Sequence, residues 1–559
     1  MTSDKMSMPG VPVHSPHPVP AGVLEAFWRY DAALLANDRA VLDELFLKGP
    51  GTLRGDGRVL LVGHDAIAGF RSGRAVVPTR RVAELHVRVL APGAVLIMAR
   101  TADGEAAGLQ TQVWRQTADG WRVAAAHVSP PAAAPRAAPV DPAVWRVAGV
   151  PLAPPLGSGP LDGLGVAVKD VIAVEGHPTG GGVPAFLAGQ PPQPASAPAV
   201  TALRRAGAHL AGIAQTDEFA YSIAGSNSHY GIAPNPAAPA RLGGGSSSGP
   251  AAAVALGQAQ IGLGTDTAGS IRVPAAYQGL VGFRPTHGAV PSDGVLPLAP
   301  SFDTVGWLTR DVATSAAVAA VLVPPRADGP AAPARAIRLP PVEQLAEPLA
   351  RDLFTARVAA LGAAGALPPP EPAALPGAAL DEWFAAFRTV QAHEAWAAHG
   401  RWIEAHPGNL GADVAARFAA AAAITDAEAE AARAVVAAAR DQILQWLEDA
   451  ILVLPTTPGP APLRTAGPAE IDDVRGRTLR ISCLSPIAGA PAVSLPLNGH
   501  DAPLGLCLIG APGSDLALLS AAALLPPALL PPARRPSGPA AGGAAASSGP
   551  LITGPGRTP

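Results

Sequence analysis

The segment GLGTDTAGSIRVPAA, residues 262–276, decides how this chain is read. It has a partner upstream, GGGSSSGPAAAVA, residues 243–255, where a Gly/Ser run passes into an Ala-rich helical pattern. Taken singly, each has an ordinary meaning. A Gly/Ser loop ahead of a helix serves as a flexible connection, or holds an anion at the helix N-terminus. The upstream run lacks the Gly-Lys-Ser/Thr ending of a phosphate loop, which argues against a nucleotide. The two stretches gain meaning from a third, LGVAVKDVIA, residues 164–173.

That third stretch carries a lysine inside an apolar run. The chain has three lysines, Lys5, Lys48 and Lys169, among 40 basic residues, so arginine supplies nearly every plain positive charge. Arginine stays protonated at any workable pH, whereas a desolvated lysine can become a neutral base. A lysine kept at 169 fits a task that requires deprotonation.

Together the three stretches resemble the amidase signature family. The resemblance rests on Gly244, Gly245, Ser246, Ser247 and Gly249, and on Gly264, Asp266, Ala268, Gly269, Ser270, Ile271, Arg272 and Pro274, with the spacing between the two halves intact. Lys169 in GVAVKD is its third anchor, and DEFAYSIAGSNSHYG, LVGFRPTHGAV, SFDTVGW, VLPTTP and SPIAGAPAVSLPL agree with it. It covers roughly residues 145–524. It implies a mixed β-sheet core covered by helices, and Ser270 as nucleophile. Ser246 would bridge, following a cis peptide bond, and Lys169 would be the neutral base. Backbone N–H groups of Thr267, Ala268 and Gly269 would form an oxyanion hole, with Ser247, Asp266 and Arg272 in support. Asp266 and Arg272 read better as a buried pair shaping the loop than as catalysts. The reaction implied is hydrolysis of a small carboxylic amide to acid and ammonia, without metal or cofactor. Two lysines common in the family are replaced here, by Gln215 and Arg284.

Ser248 and Pro250 stand where many members have Gly and Ser. The SSSG and DTAGS pieces are similar to the allophanate-hydrolase branch and to plant amidases acting on indole-3-acetamide, which keeps a urea-like substrate as an alternative. Further alternatives are a transamidation subunit and a non-catalytic amidase-like module; the latter tends to lose the Lys and Ser residues that this chain keeps. The substrate pocket is expected largely from the helical region 340–450.

Upstream, residues 21–47 follow a helical period through Val23, Phe27, Tyr30, Leu34, Val41 and Leu45. Short alternating runs follow, and RQTADGWRV reads as a hairpin about Asp-Gly. FWRYDAALLANDRAVLDELF, GHDAIAGFR and QTQVWRQTADGWRVAAAHVS resemble the AtzH-like domain, a small α+β cone of the nuclear-transport-factor-like superfamily. The resemblance implies a pocket that Trp28, Gln112 and His127 could line, with Trp28 and Trp114 read first as core. It also implies a homodimer through the cone. Five segments are thus expected: a loose N-terminus (1–19), the cone (20–130), a Pro/Ala linker (131–144), the amidase-like domain (145–524) and a disordered tail (525–559).

Composition narrows the partners. The net charge of -3 points away from nucleic acid and anionic membranes. Two cysteines are too few for a disulfide framework or a thiolate zinc site, and Cys483 reads as a small core residue. None of the 13 histidines falls in the Gly/Ser stretches, so a Ser-His-Asp triad is not supported. No stretch reads as a signal peptide or a membrane span, and a cytoplasmic enzyme is the expectation.

Overall fold

The computed structural model describes residues 11–56, 60–72, 80–103, 106–129, 140–324, 334–497 and 502–526. The chain divides into two compact units, Met1–Pro139 and Val140–Pro559.

The first unit is α+β. Helix Val23–Ala36 ends where Asn37 turns left-handed (φ 52°), and helix Arg39–Leu45 starts from Asp38, whose carboxylate accepts the Val41 N–H. A third helix is His64–Ser72. Its strands are β1 (Val13–His14), β2 (Leu53–Asp56), β3 (Leu60–Val62), β4 (Arg81–Ala91), β5 (Ala94–Asp103), β6 (Ala106–Thr117) and β7 (Gly120–Ser129). They form one sheet in the order β1-β4-β5-β6-β7-β2-β3. The hairpin read at Asp-Gly is the β6–β7 turn, where Thr117 pairs with Gly120. Phe27, Tyr30, Leu85, Ile97, Trp114 and Val123 fill the core.

Several sequence expectations need correction in this unit. Residues 13–14 are not loose: they pair with Leu85 and His86 of β4. Among the proposed pocket residues, Gln112 is buried and accepts from Trp114 Nε1 at 3.1 Å, and Trp28 is half-buried against the core. His127 is exposed, because its place in β7 turns it to the outer face. On the sheet, His14, Glu84 and His86 bring ligand-type atoms within 4.8 Å of one another, with Glu84 also bonded by Arg100. The remaining parts of the loose terminus, linker and tail (1–10, 131–139 and 527–559) lie outside the described residues.

The second unit is built on a mixed sheet of eleven strands. They are β8 (Trp145–Ala153), β9 (Gly165–Lys169), β10 (His209–Ala214), β13 (Ile261–Thr265), β14 (Val281–Arg284), β15 (Val305–Thr309), β16 (Arg335–Arg338), β17 (Pro370–Pro372), β18 (Ala450–Pro455), β19 (Ala492–Leu497) and β20 (Leu504–Ile509), while β11 (Ser226–Asn227) and β12 (Gly231–Ile232) form a separate two-stranded pair. The large sheet runs β17-β16-β18-β20-β19-β14-β15-β13-β9-β10-β8. β9 is parallel to both neighbours, β10 and β13, while β13–β15, β14–β19 and β19–β20 are antiparallel. Central strands such as GVAVK and IGLGT are buried on both faces, which explains their unbroken apolar and small-residue texture. Helices Gly377–Ala405, Ala412–Ala422 and Asp426–Leu447 fill the region read as helical; Trp383, Phe384 and Phe387 are buried there, and Trp396 and Trp402 partly so. Residues 140–144, expected in the linker, belong to this unit, and Val144 is fully buried. Among the described residues no helix is long and apolar enough to cross a membrane.

Candidate active site

Parallel pairing brings the site together. The register of β13 on β9 matches Leu263 with Val168, so the last residues of both strands, Thr265 and Lys169, arrive at the same sheet edge. Lys169 is fully buried, and its Nζ donates to Ser246 Oγ at 2.8 Å and to Thr265 Oγ1 at 2.8 Å. Burial pushes the amine down to about 7, against the opposing pull of the Asp217, Asp303 and Asp266 carboxylates. Desolvation is the largest of these influences. Asp303 accepts from Thr267 Oγ1 and from the N–H groups of Leu298 and Ala299, and Asp217 accepts the Gly225 N–H.

Ser246 follows a cis peptide bond from Gly245. Its carbonyl accepts from Thr216 Oγ1 at 3.0 Å and from the Asp217 N–H at 3.2 Å. Gly245 has to be glycine here: a Cβ would stand 2.4 Å from an Asp217 carboxylate oxygen. Ser247 ties the two Gly/Ser stretches together. Its N–H donates to the Ser270 carbonyl at 3.2 Å, and its hydroxyl donates to the Thr265 carbonyl at 3.2 Å. Helix Ser248–Ala255 then runs off with every residue buried.

The turn 266–270 is organised by one carboxylate. Asp266 accepts the N–H groups of Gly269 (2.9 Å), Ile271 (3.1 Å) and Arg272 (3.3 Å), so it sits on the N-terminus of helix Arg272–Gln278. Arg272 pairs with it twice, Nη2 to Oδ1 at 2.9 Å and Nε to Oδ2 at 3.1 Å. Arg284 donates to the Asp266 carbonyl and lies 3.4 Å from Oδ1. Burial alone would raise the Asp266 carboxyl, but Arg272 and Arg284 hold it well below the usual carboxylate range. Burial in turn pushes Arg284 down to about 10.

This arrangement changes one expected role. The Gly269 N–H, read as an oxyanion donor, is already given to Asp266. Its φ of 116° suits glycine, and a side chain would also press on Ser482. The N–H groups of Thr267, Ala268 and Ser270 have no acceptor among the described residues. These three residues are all buried, so their donors are unspent within the described fold. Sequence reasoning missed the Ser270 N–H, and it missed Thr265, Thr216 and Ser482, whose hydroxyl donates to the Ala268 carbonyl at 2.5 Å. Thr265 had a signal: it directly precedes Asp266 at the end of an apolar strand.

Ser270 faces a narrow crevice. Its walls come from the segment Ala220–Ile223, from Ala268 and Leu298, and from Arg475 and Leu479 of helix Pro468–Ser482. Only Gln391 comes from the region 340–450, so the expectation that these helices build most of the pocket is not met. They pack behind the wall instead: His399 stacks on Phe219 with ring centres 4.3 Å apart. Phe219 and Ala220 both adopt positive φ (47° and 57°), a conformation that costs about 1–3 kcal/mol per residue and that packing must hold in place. Cys483 is a buried core residue, its thiol pushed up to about 12 by burial.

Comparison with known proteins agrees with this geometry. The Amidase family model matches residues 153–375, and the AtzH-like model matches residues 12–133. Amidase 1 of Arabidopsis thaliana is 35% identical over 391 residues, 64% of this chain and 92% of its own length. The Pisum sativum translocon at the outer membrane of chloroplasts 64 is 32% identical, over 66% of each chain. Among solved structures, one described as a vestigial protein complex revealing the origins of an s-triazine catabolic enzyme superposes with a TM-score of 0.61 at 30% identity, covering 67% of this chain and 86% of that one. The Kluyveromyces lactis allophanate hydrolase superposes at 0.59 with 26% identity, covering 66% and 62%. With its buried lysine, Gly/Ser loops and mixed sheet, this chain belongs to the amidase signature family, a hydrolase of amide C–N bonds in small substrates that carries an AtzH-like domain ahead of its amidase fold.

Proposed function

We propose that this protein hydrolyses a small carboxylic amide to the acid and ammonia through an acyl-enzyme on Ser270, with Lys169 acting through Ser246. The observation that carries this reading is the buried Lys169 amine, 2.8 Å from Ser246 Oγ and pushed down to about 7. Ser270 Oγ attacks the carbonyl carbon while its proton passes to Ser246, whose own proton passes to the lone pair of neutral Lys169. Free N–H groups of Thr267, Ala268 and Ser270 are the candidate donors for the oxyanion, each such donor typically worth about 10²–10³ in rate. The C–N bond then breaks, and the leaving nitrogen takes the proton back along the same path as ammonia. Water repeats the sequence on the ester, releasing the acid and free Ser270.

The test is ammonia release from indole-3-acetamide, phenylacetamide, benzamide, glutamine, allophanate, biuret and a short aliphatic amide. Wild type is run beside Ser270→Ala. Turnover of one class, abolished by Ser270→Ala, supports the reading; turnover that survives Ser270→Ala rejects it. A urea-like substrate is the second reading, favoured by the structural likeness to an allophanate hydrolase.

A further inference from the structure

The crevice that holds Ser270 contains one formal charge. Arg475 enters it from helix Pro468–Ser482, and none of the residues lining it is an aspartate or glutamate. The guanidinium is nearly buried, with 15% of its side chain exposed. Its Nε is fully buried and has no hydrogen-bond acceptor among the described residues. Among the described residues its one ion-pair partner is Asp472, 3.5 Å from Nη1 and largely exposed on the same helix. That contact is too long and too wet to neutralise a buried cation.

The surroundings add positive charge. Arg417 and Arg388 both act on Arg475 and on Tyr221, which also lines the crevice. Arg417 pairs outward with Asp413 at 2.5 Å, while its Nε is likewise buried without an acceptor. Burial pushes Arg475 down to about 10, and the two neighbouring guanidinium groups push the same way. A desolvated arginine of this kind is strongly destabilised unless an anion meets it, and its planar fork fits a carboxylate with two parallel hydrogen bonds. The nucleophile and this cation share one narrow space, so the anion belongs to the molecule being cleaved.

Resting on the hydrolytic reading above, we propose that the substrate is an amic acid: a small amide bearing a carboxylate a few bonds from the scissile carbonyl, held by Arg475 while Ser270 attacks. The remaining walls, Ala220, Ile223, Ala268 and Leu479, are apolar and suit the short carbon linker between the two groups. Arg475 is thereby a specificity residue: a neutral amide of equal length leaves its donors unpaired, which is the strongest form of discrimination a pocket offers.

The experiment compares matched pairs: malonamate, succinamate and glutaramate against propanamide, butanamide and pentanamide. kcat/KM is measured for wild type, Arg475→Gln, Arg475→Lys and Ser270→Ala. The expected result is a wild-type preference for one amic acid over its neutral partner of about 10²–10³-fold. This ratio should fall to near one in Arg475→Gln and recover in part in Arg475→Lys. A wild-type preference for the neutral amides, or a carboxylate preference that survives Arg475→Gln in a folded variant, overturns the proposal. Turnover persisting in Ser270→Ala rejects the serine mechanism while leaving the ratio to judge Arg475. Should wild type cleave none of the six, calorimetric binding of the amic acids to Ser270→Ala decides. Binding lost on adding Arg475→Gln upholds the proposal, and no binding overturns it.

Discussion

Lys169 was legible because the sequence uses arginine nearly everywhere else, and the structure gives that choice a physical setting. A fully buried amine with two hydroxyl partners cannot be replaced by a guanidinium that stays charged. Lys169→Arg should therefore be nearly as inactive as Lys169→Ala, both down by about 10²–10⁴ in kcat/KM, the usual worth of a general base. Substantial activity in Lys169→Arg would contradict the neutral-base role. The same residue costs stability. Its amine, pushed down to about 7 in the folded chain, lies below the ordinary lysine value of 10.5, so between those values the unfolded chain binds more protons and stability rises with pH. Denaturant unfolding should show wild type gaining on Lys169→Met by about 1.4 kcal/mol per pH unit above pH 7, and a constant difference would refute this. Two neighbours were missed. Thr265 has a signal in its place before Asp266, but its contact with Lys169 is made by strand register, and the Gly269 N–H is consumed by Asp266, a choice set by the turn and not by residue type.

Among elements, the strands around the site read clearly because small and apolar residues run unbroken through buried parallel pairs. The crevice wall did not. Helix Pro468–Ser482 supplies Arg475 and Leu479 from far along the chain, and the turn Phe219–Ala220 depends on aromatic packing that no local pattern announces. The Asp266–Arg272 pair was legible as a buried pair shaping the loop, but Arg284 joined it from β14. Arg272→Met leaves the buried Asp266 short of its principal partner. It should lower unfolding free energy by about 3–5 kcal/mol in a chemical denaturation curve. A loss below about 1 kcal/mol would mean that Arg284 alone satisfies the carboxylate.

For the whole molecule, texture changes along the sequence located two bodies, but it placed their border late. Val144 was assigned to a Pro/Ala linker by composition, whereas it is fully buried in the second unit's core with Trp145 and Ala167. Each unit has its own apolar core, the first around Phe27, Tyr30 and Trp114 and the second around the eleven-stranded sheet. Residues 140–526 expressed alone should accordingly unfold cooperatively and retain amide hydrolysis, measured by circular dichroism and ammonia release. Loss of activity in a folded fragment would give the AtzH-like unit a direct part in turnover.

The most direct test of the relay is the pH profile of kcat/KM for the best amide between pH 5.5 and 9. A base that must be neutral, with its amine pushed down to about 7, predicts a tenfold rise per pH unit below about 7 and a plateau above it. A profile that is flat across this range, or that falls as pH rises through 7, would contradict Lys169 as the group that accepts the proton.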